Sequence, residues 1–270
     1  TMLIDNDLKM DGPKSGLGGL GTARMDDAQK KKWMDYYGAI NAGFQKEKLT
    51  GKALTEWKYQ RYMKDYLSTA VSLDRNIGKI LDYLDKNGLA ENTIVIYASD
   101  QGFYMGEHGW FDKRFMYEES YRTPLVIRYP GVVKPGTQLD QMVLNLDFGP
   151  TIMDIAGLKP PAEMQGTSFL PILKNSKAPG QKTLYYHYYE YPQPHRVMPH
   201  FGVRDARYKL IRFYKPESAW ELYDLQKDPN EMHNLYGEKG YAEITAGLKK
   251  ELLLSAKKYD DTEALNILNP

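Results

Sequence analysis

Apolar residues recur at three- and four-residue spacing along residues 54–86, which is the pattern of a helix with one apolar face. The recurring positions include Tyr66, Ala70, Leu73, Ile77, Ile80 and Leu84. The segment ends at Lys86-Asn87-Gly88, a combination typical of a helix C-terminus. Residues 26–46 also show a helical pattern. Residues 1–25 contain Gly12-Pro13 and four glycines between positions 16 and 21, which predicts a loop, so the helical part is expected to begin near residue 26.

A change of period follows this helix. Residues 93–98 form a β-branched run, which predicts a buried strand, and strand character returns at residues 124–128. Residues 141–145 predict a short strand, and Asp147 begins a predicted helix that extends to about Ala156. An order of helix and then strand is typical of a sheet covered by helices. The pattern predicts an α/β domain.

The composition changes near residues 175–182, where Lys, Ser, Pro and Gly accumulate. Short aromatic-rich strands are predicted after this point, at residues 183–189, 201–204, 208–214 and 220–224, and a helix is predicted near residues 241–258. Strands joined by turns and then covered by one helix favour a small antiparallel α+β subdomain. We therefore divide the chain into a main domain, residues 1–175, and a subdomain, residues 176–270.

Composition excludes several classes of function. The chain has 270 residues and a net charge of +1, which gives no electrostatic basis for binding nucleic acid. No apolar run approaches the roughly 20 residues that span a bilayer. The absence of cysteine excludes disulfides and thiolate metal sites. The 22 tyrosines and four tryptophans suit a carbohydrate ligand, but packing between subdomains is the favoured explanation for most of them.

A carboxylate and an amide stand together where the predicted strand 93–98 ends. Asp100 and Gln101 can offer two oxygen ligands to one hard cation. The carboxyl ends of strands in open α/β sheets are also where ligands bind. The alternative is that Asp100 caps the loop and Gln101 only forms hydrogen bonds.

Charged residues continue beyond this strand end. Lys113 is either a solvated surface charge or a cation for an anionic ligand. Asp112 and Arg114 flank it as alternate residues, so in an extended segment they share a direction and could hold two sugar hydroxyls. A mutual or structural ion pair is the alternative. His108, in Gly-Glu-His-Gly, could contact a ligand or brace the loop.

Several spaced motifs in this region resemble the C-terminal half of the type I sulfatases, members of the alkaline-phosphatase-like superfamily. The motifs are S-D-Q-G at 99–102, G-E-H-G at 106–109, a lysine thirteen residues after Asp100, Y-E-E-S at 117–120 and P-L-V-I-R-Y-P-G at 124–131. The resemblance implies part of an alkaline-phosphatase-like mixed sheet flanked by helices. The residues of these motifs are most similar to those of bacterial enzymes that act on 6-sulfated N-acetylglucosamine in host glycans.

The resemblance also implies roles for residues. Asp100 and Gln101 match the second metal-ligand pair of the family, which binds Ca²⁺, although Gln101 departs from the commoner Asn or His. Lys113 matches a sulfate-contacting lysine, and His108 is expected near the leaving oxygen as a second catalytic residue.

The expected substrate-binding residues are those that would contact the sugar. They are Asp112 and Arg114 from the loop of family motifs, and His200 and Arg204 from the small subdomain.

Parts of the family pattern are missing. Sulfatases use a formylglycine made within C/S-x-P/A-x-R, and this chain has no cysteine and no serine in that pattern. Asp26-Asp27 stands in a helix-start context, so we do not assign it to the family's first metal pair. The sequence predicts a fragment, inactive alone, whose partners are a sulfated carbohydrate and the missing N-terminal half. The resemblance implies a periplasmic or secreted location.

Two other functions are compatible with the residues. A non-catalytic glycan-binding or interaction module would also lack a nucleophile, so it is the second hypothesis. A phosphodiesterase of the same superfamily is the third reading, but such enzymes use two zinc ions and need more His and Asp ligands than the surroundings of Asp100 provide.

Overall fold

The computed structural model describes residues 2–3, 24–192 and 195–268. This part of the chain forms two compact units. The first contains the described residues up to Tyr83 together with Phe103–Lys113, and the second contains Leu84–Gly102 and the described residues from Arg114 onward. The predicted boundary near residue 175 is a different division of the chain, and it stays a prediction. The predicted loop over residues 1–25 lies mostly outside the described residues.

Short strands are distributed along the chain. In the described part they are β1 (Met2–Leu3), β2 (Val95–Ala98), β3 (Tyr104–Met105), β4 (Trp110–Asp112), β5 (Leu125–Arg128), β6 (Leu184–Tyr188), β7 (His200–Arg204), β8 (Tyr208–Phe213) and β9 (Ala219–Asp224).

Helices of very different length alternate with these strands. They are α1 (Asp27–Glu47), α2 (Gly51–Lys86), α3 (Glu118–Tyr121), α4 (Phe148–Ile155), α5 (Leu170–Lys174), α6 (Ala242–Lys258) and α7 (Thr262–Leu268). Single 3₁₀ turns occur at Ala90–Asn92, Glu107–Gly109, Asn145–Asp147 and Lys239–Tyr241. No helix in the described part is both long enough and apolar enough to cross a membrane.

The two long helices confirm the periodic pattern of the sequence. Helix α1 begins where Asp26 accepts a hydrogen bond from the Gln29 N–H while the Gln29 side chain accepts one from the Asp26 N–H, a capping box. This confirms the helix-start interpretation of the two aspartates. Much of the apolar stripe of α2 is exposed, including Leu67, Val71 and Ile80.

The first unit also contains a small antiparallel sheet in the order β1-β4-β3. Tyr104 of β3 lies opposite Asp112 of β4, so the charged residues near 112 follow directly from a paired strand. Phe111 is buried, and its ring centroid lies 6.1 Å from that of Tyr62 on α2. Packing against α2 therefore holds the last strand before the charged loop.

In the second unit, β2 pairs antiparallel with β5, and Ile96 lies opposite Ile127. Both strands were predicted, but the prediction that residues 93–98 are buried is wrong for part of the strand. Tyr97 is 41% exposed, and Val126, its partner across the pair, is 64% exposed. The reason is that β2 and β5 form a two-stranded sheet, one face of which the described residues leave uncovered.

The predicted antiparallel subdomain is present as a four-stranded sheet in the order β6-β7-β8-β9. Successive residues of a strand face opposite sides. One side contributes Phe201, Val203, Leu210 and Leu222 to a buried core with Leu248 and Leu252 of α6 and Ala264 of α7. The opposite side bears polar residues, among them His200, Arg204 and Lys209.

Several details differ from the sequence-based expectation, and the short strands β1, β3 and β4 were not predicted. Residues 141–145 do not form a strand, because only Met142 makes an isolated bridge, with Gln181. Two short helices, α5 and α7, were not predicted. Helix α7 begins where the Ala264 N–H donates to Asp261 Oδ1 at 3.0 Å. This N-terminal cap, and not a long apolar period in the sequence, marks the start of the helix.

A buried ion network lies on the polar side of the four-stranded sheet. The side chain of Lys209 is fully buried, and its Nζ lies 2.9 Å from Glu118 Oε1 and 2.8 Å from Glu231 Oε1. Nζ also donates to the Met116 carbonyl at 2.7 Å. Arg204 donates to both carboxylate oxygens of Glu118, at 3.0 and 3.2 Å. Two cations therefore balance two carboxylates away from water.

The shared cation affects the two carboxylates differently. Burial raises the pKa of Glu231, and the charge of Lys209 offsets this effect only in part. Burial acts on the pKa of Glu118 in the same direction, but Lys209 and Arg204 together outweigh it and lower that pKa. Glu118 is thus held ionised by two cations, whereas Glu231 depends on one.

The first prediction concerns Lys209. Lys209→Met removes one partner of a buried network and leaves carboxylates uncompensated, so the free energy of unfolding should fall by about 3–5 kcal/mol. Urea denaturation measures this change. Lys215→Met is the matched control, because Lys215 is exposed and lies 3.2 Å from Glu263; its effect should stay below about 1 kcal/mol. Equal effects of the two substitutions would contradict the network.

Candidate functional site

Backbone strain is concentrated in the loop at residues 108–114. His108, Asp112 and Arg114 have φ values of 56°, 85° and 106°. Among the described residues seven non-glycine residues have positive φ, and three of them fall within this one loop. Such conformations cost on the order of 1–3 kcal/mol each and cluster at functional sites. The strain falls on three residues that the sequence motifs selected, and their functional roles stay predictions.

The strain also corrects one argument from the sequence. Asp112 and Arg114 were expected to share a direction as alternate residues of an extended segment. Because both have positive φ, the chain between them is not a regular extended strand, and that argument does not apply. The predicted roles of the two side chains rest on the family resemblance and stay predictions.

His108 lies among aromatic rings in the first unit. Its ring stacks on Trp110, with centroids 5.5 Å apart, and meets the edge of Tyr104 at 6.0 Å. Glu107 accepts a hydrogen bond from the Met105 N–H at 2.6 Å, which gives its carboxylate a structural contact in this loop. The aromatic rings fix the orientation of the His108 imidazole.

Asp112 and Lys113 form a charge pair at the end of β4. Asp112 is buried, and its Oδ1 lies 3.8 Å from the Nζ of Lys113, whose side chain is 32% exposed. Burial followed by the charges of Tyr66 and Asp112 raises the pKa of Tyr62 to about 12, so α2 contributes a neutral hydroxyl beside this carboxylate. A partly exposed ammonium beside a buried carboxylate is suited to meet an anion from solvent.

Arg114 is the first residue of the second unit after this loop. Its N–H donates to Ser120 Oγ at 2.8 Å, and its carbonyl accepts from the Tyr186 hydroxyl at 2.6 Å. Its Nη2 donates to His195 Nε2 at 2.8 Å. Both backbone polar groups and the guanidinium of Arg114 are therefore fixed by side chains of the same unit.

Asp100 and Gln101 follow β2 directly, as the sequence predicts. The Gln101 N–H donates to Asp100 Oδ1 at 3.1 Å, and the Asn145 amide donates to the Asp100 carbonyl at 2.7 Å. Asp100 is exposed at this strand end. A carboxylate and an amide supply the hard oxygen donors of a Ca²⁺ site, but six to eight oxygens complete one. The described residues contain no group of three His, Cys, Asp or Glu side chains that could hold a metal ion.

Gly102 brings this strand end against α3. Its N–H donates to the Ser120 carbonyl at 2.8 Å, and a Cβ at this position would lie 2.1 Å from the Glu119 carbonyl oxygen. Only glycine permits so close an approach of two backbones. The contact links the Asp100–Gln101 pair to the helix whose Ser120 also holds Arg114.

The two site residues predicted in the subdomain lie on the polar side of its sheet. His200 is fully buried; its Nε2 accepts from the Met116 N–H at 3.1 Å, and its Nδ1 donates to the Met198 carbonyl at 2.7 Å. Arg204 is engaged by Glu118, as described above. These contacts give both residues a structural role, and substrate contact by either remains a prediction.

The sequence reasoning missed three side chains in this region. His195 contacts the Arg114 guanidinium, Tyr186 binds the Arg114 carbonyl, and Lys209 organises the ion network. His195 and Tyr186 stand in an aromatic-rich stretch with no ligand spacing. Tyr186 lies on β6 and His195 lies between β6 and β7, 72 and 81 positions from Arg114, so neither gave a local signal.

Comparison with known proteins adds an independent result. The family model "N-sulphoglucosamine sulphohydrolase, C-terminal" matches residues 106–258, and the family model "Sulfatase" matches residues 24–158. An N-acetylglucosamine-6-O-sulfatase of Bacteroides thetaiotaomicron is 48% identical over 243 residues, which is 89% of this chain and 44% of that protein. Arylsulfatase K of Mus musculus is 32% identical over 75% of this chain and 37% of its own length.

A solved structure is also similar. It shows a protein in complex with its substrate D-glucosamine-2-N,6-O-disulfate, and it superimposes with a TM-score of 0.87 at 43% identity. The match covers 97% of this chain and 56% of that one. This chain therefore spans about half the length of the proteins that it matches.

The second prediction follows from the close backbone approach at Gly102. Gly102→Ala places a methyl group against the Glu119 carbonyl, so the backbone must shift and the free energy of unfolding should fall by about 1–3 kcal/mol. Gly78→Ala is the control, since Gly78 lies within α2 with open space around it and should gain about 0.5–1 kcal/mol. Denaturation of both variants measures the difference, and a neutral Gly102→Ala would contradict the contact.

The third prediction concerns pH. Burial lowers the pKa of His200 to about 4, below its ordinary value of about 6.5. The unfolded chain binds this proton first as the pH falls, so the contribution is complete above about pH 6.5 and is lost towards about pH 4. It amounts to roughly 3 kcal/mol. His200→Gln should flatten this part of the unfolding free energy against pH, and an unchanged slope would refute the assignment.

Proposed function

The chain belongs to the sulfatase family, and from this premise we propose that it is the C-terminal portion of a sulfuric ester hydrolase that removes sulfate from a sulfated sugar. The family membership confirms the predicted resemblance and the alkaline-phosphatase-like α/β class. The substrate class that we propose is 6-sulfated N-acetylglucosamine in glycans. The names of the similar proteins support this choice, because both a 6-O-sulfatase and a glucosamine disulfate complex occur among them.

The observation that carries the proposal is the strained loop around Lys113. Three positive-φ residues lie within 108–114, and such backbone conformations cluster at functional sites. Lys113 presents a partly exposed ammonium there, with the Asp112 carboxylate 3.8 Å away. A lysine ammonium is a compact point charge, so its attraction to a sulfate oxygen is strong at short distance.

The neighbouring residues would recognise the sugar. The carboxylate of Asp112 accepts hydrogen bonds from hydroxyls, and the guanidinium of Arg114 donates them. The imidazole of His108 is oriented by Trp110 and Tyr104 and can donate to the leaving oxygen. In this proposal Lys113 and His108 act on the sulfate ester, whereas Asp112 and Arg114 hold the sugar ring.

Asp100 and Gln101 fit part of a calcium site. Both offer oxygen, the donor that calcium takes, and both follow the exposed end of β2. A bound divalent cation would neutralise negative charge that develops on sulfate oxygens. Gly102 and Asn145 keep the backbone of the pair in place through their hydrogen bonds. Their role is to hold the two ligands, and further ligands would come from outside this pair.

We propose that the rest of the enzyme supplies the nucleophile. The chain has no cysteine, and no serine stands in the pattern that becomes formylglycine. Apolar surface supports a covering segment in each unit separately: Leu67 and Ile80 of α2 are exposed in the first, and Val126 of β5 is exposed in the second. The missing N-terminal half is therefore the proposed partner, and we propose a periplasmic or secreted location.

The fourth prediction tests this function with a hybrid enzyme. The part of the Bacteroides thetaiotaomicron N-acetylglucosamine-6-O-sulfatase that precedes the matched region is joined to this chain. The hybrid should release sulfate from N-acetyl-D-glucosamine 6-sulfate, whereas the 270-residue chain alone should release none. Lys113→Ala in the hybrid should lower kcat/KM by about 100-fold, because one charge-stabilising donor is lost.

Lys134→Ala in the hybrid is the matched control, since Lys134 is an exposed lysine that is not one of the proposed site residues. Its kcat/KM should stay within about twofold of the hybrid. A folded hybrid that binds the sugar without releasing sulfate would favour the glycan-binding module. Sulfate release by the chain alone, or equal effects of the two lysine substitutions, would overturn the assignment.

A further inference from the structure

Residues 114–118 cross the polar side of the four-stranded sheet without joining any sheet themselves. They have no regular secondary structure before α3 begins at Glu118. Met116 is fully buried, and Phe115 is nearly so. A buried segment of this kind must pair its N–H and carbonyl groups with something other than a strand ladder.

Side chains of the sheet supply those partners. The Tyr186 hydroxyl donates to the Arg114 carbonyl at 2.6 Å, and His200 Nε2 accepts from the Met116 N–H at 3.1 Å. Lys209 Nζ donates to the Met116 carbonyl at 2.7 Å. Beyond the sheet, Glu231 Oε2 accepts from the Glu118 N–H at 2.6 Å. We call these four residues, Tyr186, His200, Lys209 and Glu231, the cradle.

The members of the cradle come from different parts of the subdomain. Tyr186 lies on β6, His200 on β7 and Lys209 on β8, and all three point to the side of the sheet opposite its apolar core. Glu231 follows β9. Three neighbouring strands thus present one side chain each to the same short segment.

The segment also fits the sheet by shape. Gly202 lies on β7 between His200 and Arg204, and a Cβ there would come within 2.7 Å of the Met116 sulfur. The methionine side chain therefore occupies the space that a larger residue at this position would fill. Phe115 stacks on the His200 ring with centroids 5.5 Å apart. Met116 is therefore held by both hydrogen bonds and packing, and the neighbouring Phe115 is held by packing.

The cradle begins at the strained residue. Arg114 has a φ of 106°, and such a conformation persists only where its surroundings impose it. Its N–H is held by Ser120 and its carbonyl by Tyr186. The next fixed residue, Met116, is held on both its N–H and its carbonyl. The constraint is therefore densest at and just after Arg114.

We propose that the cradle positions Arg114 for the sugar, so that Tyr186, His200 and Lys209 are positioning residues of substrate binding although they do not touch the substrate. This inference rests on the proposed function, in which Arg114 holds a sugar hydroxyl. The C-terminal sheet then serves the site by fixing the backbone from which the guanidinium extends. Loosening that backbone weakens substrate binding and leaves the chemistry at the sulfur unchanged, because Lys113 and His108 precede the held segment.

Adjacent tyrosines on β6 provide a matched test. Tyr186→Phe removes a hydroxyl that binds the Arg114 carbonyl at 2.6 Å, and Tyr185→Phe removes one that binds Asp261 at 2.7 Å on the opposite side of the sheet. Each variant loses one hydrogen bond from the same strand, but only the first loses a bond to the segment. Amide hydrogen exchange of residues 114–118 in the full chain is the first readout.

Tyr186→Phe should raise exchange across residues 114–118 by about tenfold, which corresponds to one lost hydrogen bond. Tyr185→Phe should change it only as much as global stability changes. In the hybrid enzyme, Tyr186→Phe should raise KM for N-acetyl-D-glucosamine 6-sulfate about tenfold with kcat within about twofold, whereas Tyr185→Phe should leave KM unchanged.

His200 gives a second pair. His200→Gln keeps an oxygen near the position of Nε2 that can accept from the Met116 N–H, whereas His200→Asn reaches only the position of Nδ1 and the Met198 carbonyl. The glutamine variant should therefore retain slow exchange at Met116 and a nearly normal KM. The asparagine variant should lose both. This rescue would not follow from a general packing role of the histidine.

The outcomes separate the two proposals. An inactive hybrid would overturn the proposed function, while exchange in the chain would still decide whether the cradle holds the segment. If Tyr186→Phe and Tyr185→Phe gave the same exchange at residues 114–118, the cradle would be refuted. If exchange rose but KM stayed constant in an active hybrid, the positioning of Arg114 would be refuted.

Discussion

A buried ammonium group, that of Lys209, is the interaction on which the arrangement of the second unit depends. Removing a charge from water is costly unless it is paired and hydrogen-bonded. Lys209 meets this condition only because Glu118, Glu231 and the Met116 carbonyl converge on it. Two of these partners belong to the segment that follows the strained loop. The same requirement that keeps the charge satisfied therefore ties that segment to the C-terminal sheet.

The sheet performs two tasks because its residues alternate. On one side Phe201, Val203 and Leu210 pack against α6 and α7 in a dry core. On the other side polar side chains bind the backbone of residues 114–118 instead of facing water. Both sides of the sheet therefore make buried contacts. The same strands that form the dry core also hold the backbone of residues 114–118.

The elements with strong periodicity were predictable, and so were the motif residues. Helix α2, strand β2 and the strands of the subdomain follow from apolar spacing, and Asp100 and Lys113 follow from several motifs in register. The roles of His195, Tyr186 and Lys209 were not predictable. Each acts on a residue that is 70 or more positions away in sequence, and no motif or ligand spacing marks any of the three locally.

The sequence by itself determined the family and the long helices and most of the paired strands, and it predicted the residues of the candidate site. These properties are local: they depend on side-chain period, on turn residues and on motifs of a few positions. Only the tertiary structure decided that Arg114 is strained and that His200 and Lys209 hold the backbone behind it. The reason is that a buried backbone group takes whatever partner the fold brings near, and that partner is chosen by the packing of distant strands.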